Sequence, residues 1–152
     1  TIKAIENLRL QTIWLWPNID AGSDDISKQL RQFSNKNKNF RVRFYRNFSV
    51  QNYARLIYNS KCLIGNSSSG IREAAFLGVP SVNIGSRQQG RERGLNVIDV
   101  NNCWREIIEA VNTQIHRKKY ERDFRFGRGD AGKKIADEIV NLVPNIQKRM
   151  SY

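Results

Sequence analysis

The chain has 152 residues, 39% of them hydrophobic, with 26 Lys and Arg against 14 Asp and Glu, for a net charge of +12. That length supports one ordinary domain with a core, and the apolar content excludes an intrinsically disordered chain. No run approaches the ~20 apolar residues of a membrane span and nothing resembles a signal peptide, so a cytoplasmic protein without a membrane partner is expected.

The charge favours anionic partners, but the basic residues are dispersed, with clusters only at Arg117-Lys118-Lys119 and Lys133-Lys134. No nucleic-acid motif organises them, so nucleic acid is not the expected partner. Cys62 falls in an apolar run and Cys103 beside a helix start, without metal-ligand spacing; both read as reduced structural thiols, and no metal or cofactor is expected. The sole methionine is Met150 and the chain opens on Thr1, which leads us to expect a piece of a longer protein.

In chain order, Ile2, Ile5 and Leu8 recur at spacing three and predict a helix over residues 1–8. Residues 10–16, Leu-Gln-Thr-Ile-Trp-Leu-Trp, read as an aromatic-rich strand stopped by Pro17, with Asn18-Ile19-Asp20-Ala21-Gly22 as its exit loop. Ile26, Leu30 and Phe33 predict a helix over 25–33, followed by a polar loop over 35–39. Residues 40–45 alternate apolar and basic and predict a strand with one wetter face. A helix over 49–58 follows, with Ser49 as its N-cap and Tyr53, Leu56 and Ile57 on one side.

Residues 61–65 have the short apolar run of a buried strand, and residues 70–77 have helical spacing, with Ile71, Ala74, Ala75 and Leu77 on one face. Gly78 closes that helix, Val79-Pro80 restarts extended chain, and 81–84 is another buried strand. Residues 85–94 form a long loop rich in Gly, Gln and Arg, and 95–100 a further strand. Two helices, over 104–119 and 131–143, complete the pattern. Alternating short strands and helices predict one α/β domain with a Rossmann-like parallel sheet, helices on both faces and ligands at the strand C-termini.

The most informative stretch is Ile64-Gly65-Asn66-Ser67-Ser68-Ser69-Gly70-Ile71-Arg72-Glu73, where a strand stops at consecutive serines and a helix is expected to begin. Backbone N–H groups at a helix start lack intrahelical partners and the dipole there is positive, so the junction suits a diphosphate, with Ser67 and Ser68 adding hydroxyl donors. Glu73, expected about one turn into the helix, can accept hydrogen bonds from a vicinal diol such as a ribose. The competing reading is purely local: a serine caps the helix and Glu73 complements the dipole. The loops after Trp16, Ile64 and Ile84 are expected at one sheet edge, where Arg87 can pair with a phosphate or stay solvated, and Asn18 can meet a ligand or shape its turn. His116, the sole histidine, lies near a helix end away from those loops and reads as a surface residue. Gly127-Arg128-Gly129-Asp130-Ala131-Gly132 matches G-x-G-x-x-G, but no strand precedes it.

Four ordered blocks, Pro17-Asn18-Ile19-Asp20-Ala21-Gly22, the 65–73 stretch, Gly78-Val79-Pro80-Ser81-Val82-Asn83-Ile84-Gly85 and Arg87-Gln88-Gln89-Gly90-Arg91, resemble the UDP-N-acetylglucosamine 2-epimerase family, most closely its hydrolysing branch. The resemblance runs in register from about residue 12 to 100 and more loosely to 139. It implies a two-domain GT-B fold of which residues 1–152 are an incomplete C-terminal UDP-binding domain, without the N-terminal domain and the first strand. It further implies UDP and UDP-N-acetylglucosamine as ligands and a homo-oligomeric full-length enzyme. By resemblance Ser67 and Ser68 contact the diphosphate, Glu73 the ribose and Arg87 the nucleotide, while Asn18 lines the cleft and Tyr53 lies near the uracil. The family reaction, elimination of UDP through 2-acetamidoglucal and hydration to N-acetylmannosamine for surface-sugar synthesis such as that of sialic acid, uses proton-transfer groups outside this chain. No catalytic residue is therefore expected here, and the piece alone is expected to bind without turnover. Gly127-Arg128-Gly129 departs from the Gly-Asp-Gly common in the family.

Overall fold

The computed structural model describes residues 1–17, 23–36 and 41–143. Helix α1 (Ile2–Leu8) leads to strand β1 (Thr12–Leu15), helix α2 (Ser23–Lys36) and strand β2 (Val42–Tyr45). Helix α3 (Val50–Asn59) begins at the predicted cap, where the Ser49 hydroxyl accepts the Asn52 N–H at 3.4 Å. Strand β3 (Leu63–Gly65) ends in a 3₁₀ turn, Ser68–Gly70, followed by helix α4 (Glu73–Leu77), which Gly78 closes in the left-handed conformation. Strands β4 (Ser81–Ile84) and β5 (Val97–Val100) and helices α5 (Trp104–Ile115) and α6 (Ala131–Asn141) complete the order.

The α/β class and the parallel pairing agree with the sequence pattern, but several boundaries differ. Helix α2 runs through Asn35 to Lys36, and α5 stops at Ile115, short of Lys119. The helix expected over 70–77 is a 3₁₀ turn and then a five-residue α-helix. The ladder also divides: β1 pairs with β2, and β3, β4 and β5 form a second parallel sheet.

Strand β4 is the centre of the larger sheet, and all four of its residues are buried. Its alternating side chains serve two layers. Val82 and Ile84 meet Ala4 of α1 and Ile107, Ala110 and Val111 of α5, while Ser81 lies against Gly70 of the 3₁₀ turn. On the α4 side, Ile57, Ala74 and Val79 form a smaller cluster, with Tyr53, Leu63 and Leu77 against it. Each fully buried Ile or Val contributes about 1.5–3 kcal/mol. The core is joined to α5 by a buried amide: Gln114 Nε2 donates to the carbonyls of Ser81 and Asn96, both at 2.9 Å, and its Oε1 accepts from Tyr120 Oη at 2.9 Å.

Helix α6 has the expected apolar spacing but no buried residue; Ile135 and Ile139 are exposed. Cys62 packs against the α1–α5 cluster, and burial pushes its thiol up to about 12, against a smaller downward pull from a backbone hydrogen bond at Val82. Above the ordinary thiol value near 9.0 the unfolded chain sheds this proton and the native chain keeps it, so stability falls as pH rises through that value. We predict that the urea midpoint drops more steeply between pH 8 and 10.5 in the natural chain than in Cys62→Ala, measured by circular dichroism.

Candidate functional site

Gly65 pairs with Asn83, and Ile84 with Val100, in parallel register, so the loops that follow β3 and β4 leave the same edge of the sheet side by side. The first begins with Asn66 and folds at once. Ser67 is extended, its hydroxyl accepts the Ser69 N–H at 3.3 Å, and its carbonyl accepts the Gly70 N–H at 3.2 Å. Ile71 and Arg72 both donate their N–H to the Ser68 carbonyl, at 3.0 and 2.9 Å. A hydroxyl that accepts in this way still has its own O–H to donate, so Ser67 is both cap and potential ligand group. Ser67 is exposed, and Ser68 and Ser69 are half-buried.

The turn sits close to the sheet because residue 70 has no side chain. A Cβ there would lie 2.4 Å from Ser81 Oγ, well inside contact distance. The polypeptide therefore bends at van der Waals range over β4, and the serines are held at the mouth of the sheet. Glu73 is exposed and is the first residue of α4, not one turn into it, because the chain leaves helical hydrogen bonding between Ile71 and Glu73. With only five residues in α4, anion attraction here rests mainly on local N–H and O–H donors, and a long macrodipole contributes little.

Arg87 is exposed on the second loop, next to Gln88. Gln88 is 3% exposed, and its Nε2 donates to the Asn66 carbonyl at 2.8 Å, which fastens the Arg87 loop to the serine loop. Arg93 donates to the Gln88 carbonyl and pairs with Asp99, which also accepts from Asn83 Nδ2 at 2.7 Å. Arg125 is likewise neutralised by Asp123 at 2.8 Å while its Nη1 donates to the Arg93 carbonyl at 2.6 Å. Arg93 and Arg125 are thus each paired with a carboxylate, and Arg72, Arg87 and Arg91 are exposed.

Tyr53 is half-buried on α3, packed against Ile57, Ala74 and Val79 on the α4 side of the turn. Asn18 and the rest of its loop lie outside the described residues, and β1 belongs to the other sheet, so convergence is described for two of the three expected loops. His116 ends α5 on the surface, with its Nδ1 2.6 Å from the Asn112 carbonyl, as the sequence implied. The Gly127-Arg128-Gly129 segment follows α5 with no strand before it, and Arg128 lies over Phe124, 5.0 Å from the ring centroid. Sequence reasoning missed Gln88, Arg93 and Asn96 as builders of the site. A polar residue inside a Gly- and Arg-rich loop carries no local sign that it will be buried.

Parallel strands whose C-terminal loops place a serine turn beside an arginine loop define a Rossmann-like α/β arrangement. Comparison with known proteins makes the assignment specific. The family model described as UDP-N-acetylglucosamine 2-epimerase matches residues 1–140, and the chain belongs to that family. It is 30% identical over 128 residues to a UDP-N-acetylglucosamine 2-epimerase of Neisseria meningitidis serogroup B, covering 84% of this chain and 33% of that protein. It is 32% identical over 143 residues to a hydrolysing UDP-N,N'-diacetylbacillosamine 2-epimerase of Legionella pneumophila, covering 94% of this chain and 37% of that one. A crystal structure of a UDP-GlcNAc 2-epimerase from Methanocaldococcus jannaschii, in complex with UDP-GlcNAc and UDP, shares the fold with a TM-score of 0.67 at 20% identity, over 91% of this chain and 38% of that one. The chain thus spans about a third of the length of these proteins.

The close approach at residue 70 is testable. Gly70→Ala is expected to cost about 1–3 kcal/mol through overpacking. Ser81→Ala removes the clashing oxygen, so most of that loss should return in the double variant, read as urea midpoints in a double-mutant cycle.

Proposed function

We propose that this chain is the C-terminal, UDP-binding part of a hydrolysing UDP-N-acetylglucosamine 2-epimerase. The observation that carries the reading is the joined pair of loops at the carboxyl edge of β3 and β4. Ser67 and Ser68 offer donors to a diphosphate, Arg87 offers a guanidinium from the adjoining loop, and Glu73 stands just beyond the turn as an acceptor for ribose hydroxyls. Tyr53 lies on the flank assigned to the uracil, and Asn18 completes the cleft in this reading. In this reading the first strand of a doubly wound order lies outside residues 1–152 and would stand between β1 and β3, which belong to different sheets here.

In the complete enzyme the substrate would be UDP-N-acetylglucosamine and the reaction elimination of UDP followed by hydration to N-acetylmannosamine. Leaving UDP gains negative charge as its bond to the sugar breaks, and preorganised donors on the serine turn and Arg87 stabilise that charge most in the transition state. Proton transfer is assigned to groups outside this chain, carboxylates of the N-terminal domain and a histidine just before residue 1, so the isolated chain binds and does not turn over. The reading also carries a cytoplasmic location and a homo-oligomeric parent.

Calorimetric titration with UDP, and with ADP as control, tests the site. Selective UDP binding is expected, weakened in Ser68→Ala by roughly 10–100-fold if the hydroxyl donates to a charged phosphate. Glu73→Ala should weaken UDP but leave inorganic diphosphate unaffected. A parent polypeptide that is folded and has no preference for UDP would overturn the assignment. Release of free N-acetylmannosamine by that parent separates the hydrolysing from the non-hydrolysing reaction.

A further inference from the structure

The serine turn is held at both ends by carboxamide side chains from one segment. At its start, Gln88 Nε2 donates to the Asn66 carbonyl at 2.8 Å; at its end, Asn96 Nδ2 donates to the Gly70 carbonyl at 3.2 Å and to the Val79 carbonyl at 3.0 Å. Gln88 and Asn96 are 3% and 2% exposed, and both belong to the connection between β4 and β5 that also carries Arg87. Asn96 is fixed to the core, because its carbonyl receives Gln114 Nε2 at 2.9 Å and Ser81 N–H at 2.7 Å. Gln88 is fixed through its own carbonyl, which accepts from Arg93, itself paired with Asp99 of β5.

We propose that Gln88 is a positioning residue for the diphosphate: its hydrogen bond to Asn66 sets the distance between the Ser67–Ser68 donors and Arg87. This rests on the nucleotide reading above and deepens it. Without the bond the two loops still leave the same sheet edge, and Asn96 still reaches the far end of the turn at Gly70, but the end that carries Ser67 and Ser68 loses its tie to the residue beside Arg87. The site would then lose the preorganisation that makes fixed donors effective.

The geometry separates this role from simple packing. Gln88 Oε1 is buried and has no hydrogen-bond partner among the described residues. A residue kept only to fill space would be replaced by methionine at little cost, or with a gain, because Met keeps the length and removes the unsatisfied oxygen. A residue kept for its N–H cannot be replaced in that way.

The test uses the 152-residue chain and its Gln88→Met and Gln88→Ala variants, with melting curves to verify folding, titrated with UDP and with uridine. In the natural chain UDP should bind more tightly than uridine by a ratio that measures the phosphate contribution. Positioning predicts that Gln88→Met lowers this ratio about tenfold, with uridine affinity and melting temperature nearly unchanged. An unchanged ratio in a folded Gln88→Met protein overturns the inference and leaves the nucleotide reading intact. A natural chain that does not prefer UDP to uridine overturns both. If Gln88→Ala fails to fold, the Met variant alone decides, since it preserves the volume.

Discussion

The contact on which the site depends is between Ser81 and Gly70. A buried strand normally covers both faces with branched side chains, which would hold a crossing loop away by the thickness of a side-chain layer. Here β4 divides its labour: Val82 and Ile84 face the α1–α5 cluster, while Ser81 allows the turn after β3 to pass at contact distance. Close approach carries a polar cost, because the carbonyls of Gly70, Val79, Ser81 and Asn96 are brought under cover together. Asn96 and Gln114 meet that cost by donating to all four. Their side-chain N–H groups take the place of water, and Tyr120 in turn satisfies Gln114 Oε1.

The same arrangement explains why the two functional loops are different in kind. The serine loop is short and its shape is set locally, by hydrogen bonds among Ser67, Ser68, Ser69, Gly70, Ile71 and Arg72. The arginine loop is long, and its shape is set at a distance by Asp99 on β5, through Arg93 to Gln88, and by Arg125 beyond α5. A short self-contained turn can be specified by a handful of neighbouring residues. A long loop needs partners from elsewhere, and those partners are charged because a guanidinium can bridge a carboxylate and a carbonyl at once.

That difference also marks what could be read from the sequence. Strands β2 to β5 and helix α3 with its Ser49 cap were legible because period and capping are local properties. The strand end at Gly65 and the serine cap at Ser67 were legible for the same reason, since strand, Gly and hydroxyls follow one another directly. The break at Ile71–Arg72 was not legible: Ile71, Ala74, Ala75 and Leu77 keep helical spacing although the hydrogen bonding changes from 3₁₀ to α across them. Helix α6 shows the converse limit. Its spacing at Ile135 and Ile139 correctly marks a helix with an apolar face, but spacing cannot say what covers that face, and both residues are exposed. Gln88 and Asn96 escaped attention because burial of a carboxamide depends on which carbonyls the fold brings to it.

The net charge of +12 takes on a narrower meaning once the loops are seen. Dispersed over the surface, it would favour any polyanion. Near the site, however, the arginines differ in burial. Arg93 and Arg125 are matched by Asp99 and Asp123 and act as struts. Arg72, Arg87 and Arg91 are exposed by the serine turn and along the arginine loop. Pairing the struts offsets their charge inside the loop, while the exposed arginines are side chains that a ligand can reach. A compact dianion with a hydroxyl-bearing group attached meets such an edge at several points simultaneously, whereas an extended polymer meets the same charges one at a time and gains little from how they are placed. In the proposed reading the fixed spacing of donors, more than their number, is what would favour a diphosphate over bulk polyanion.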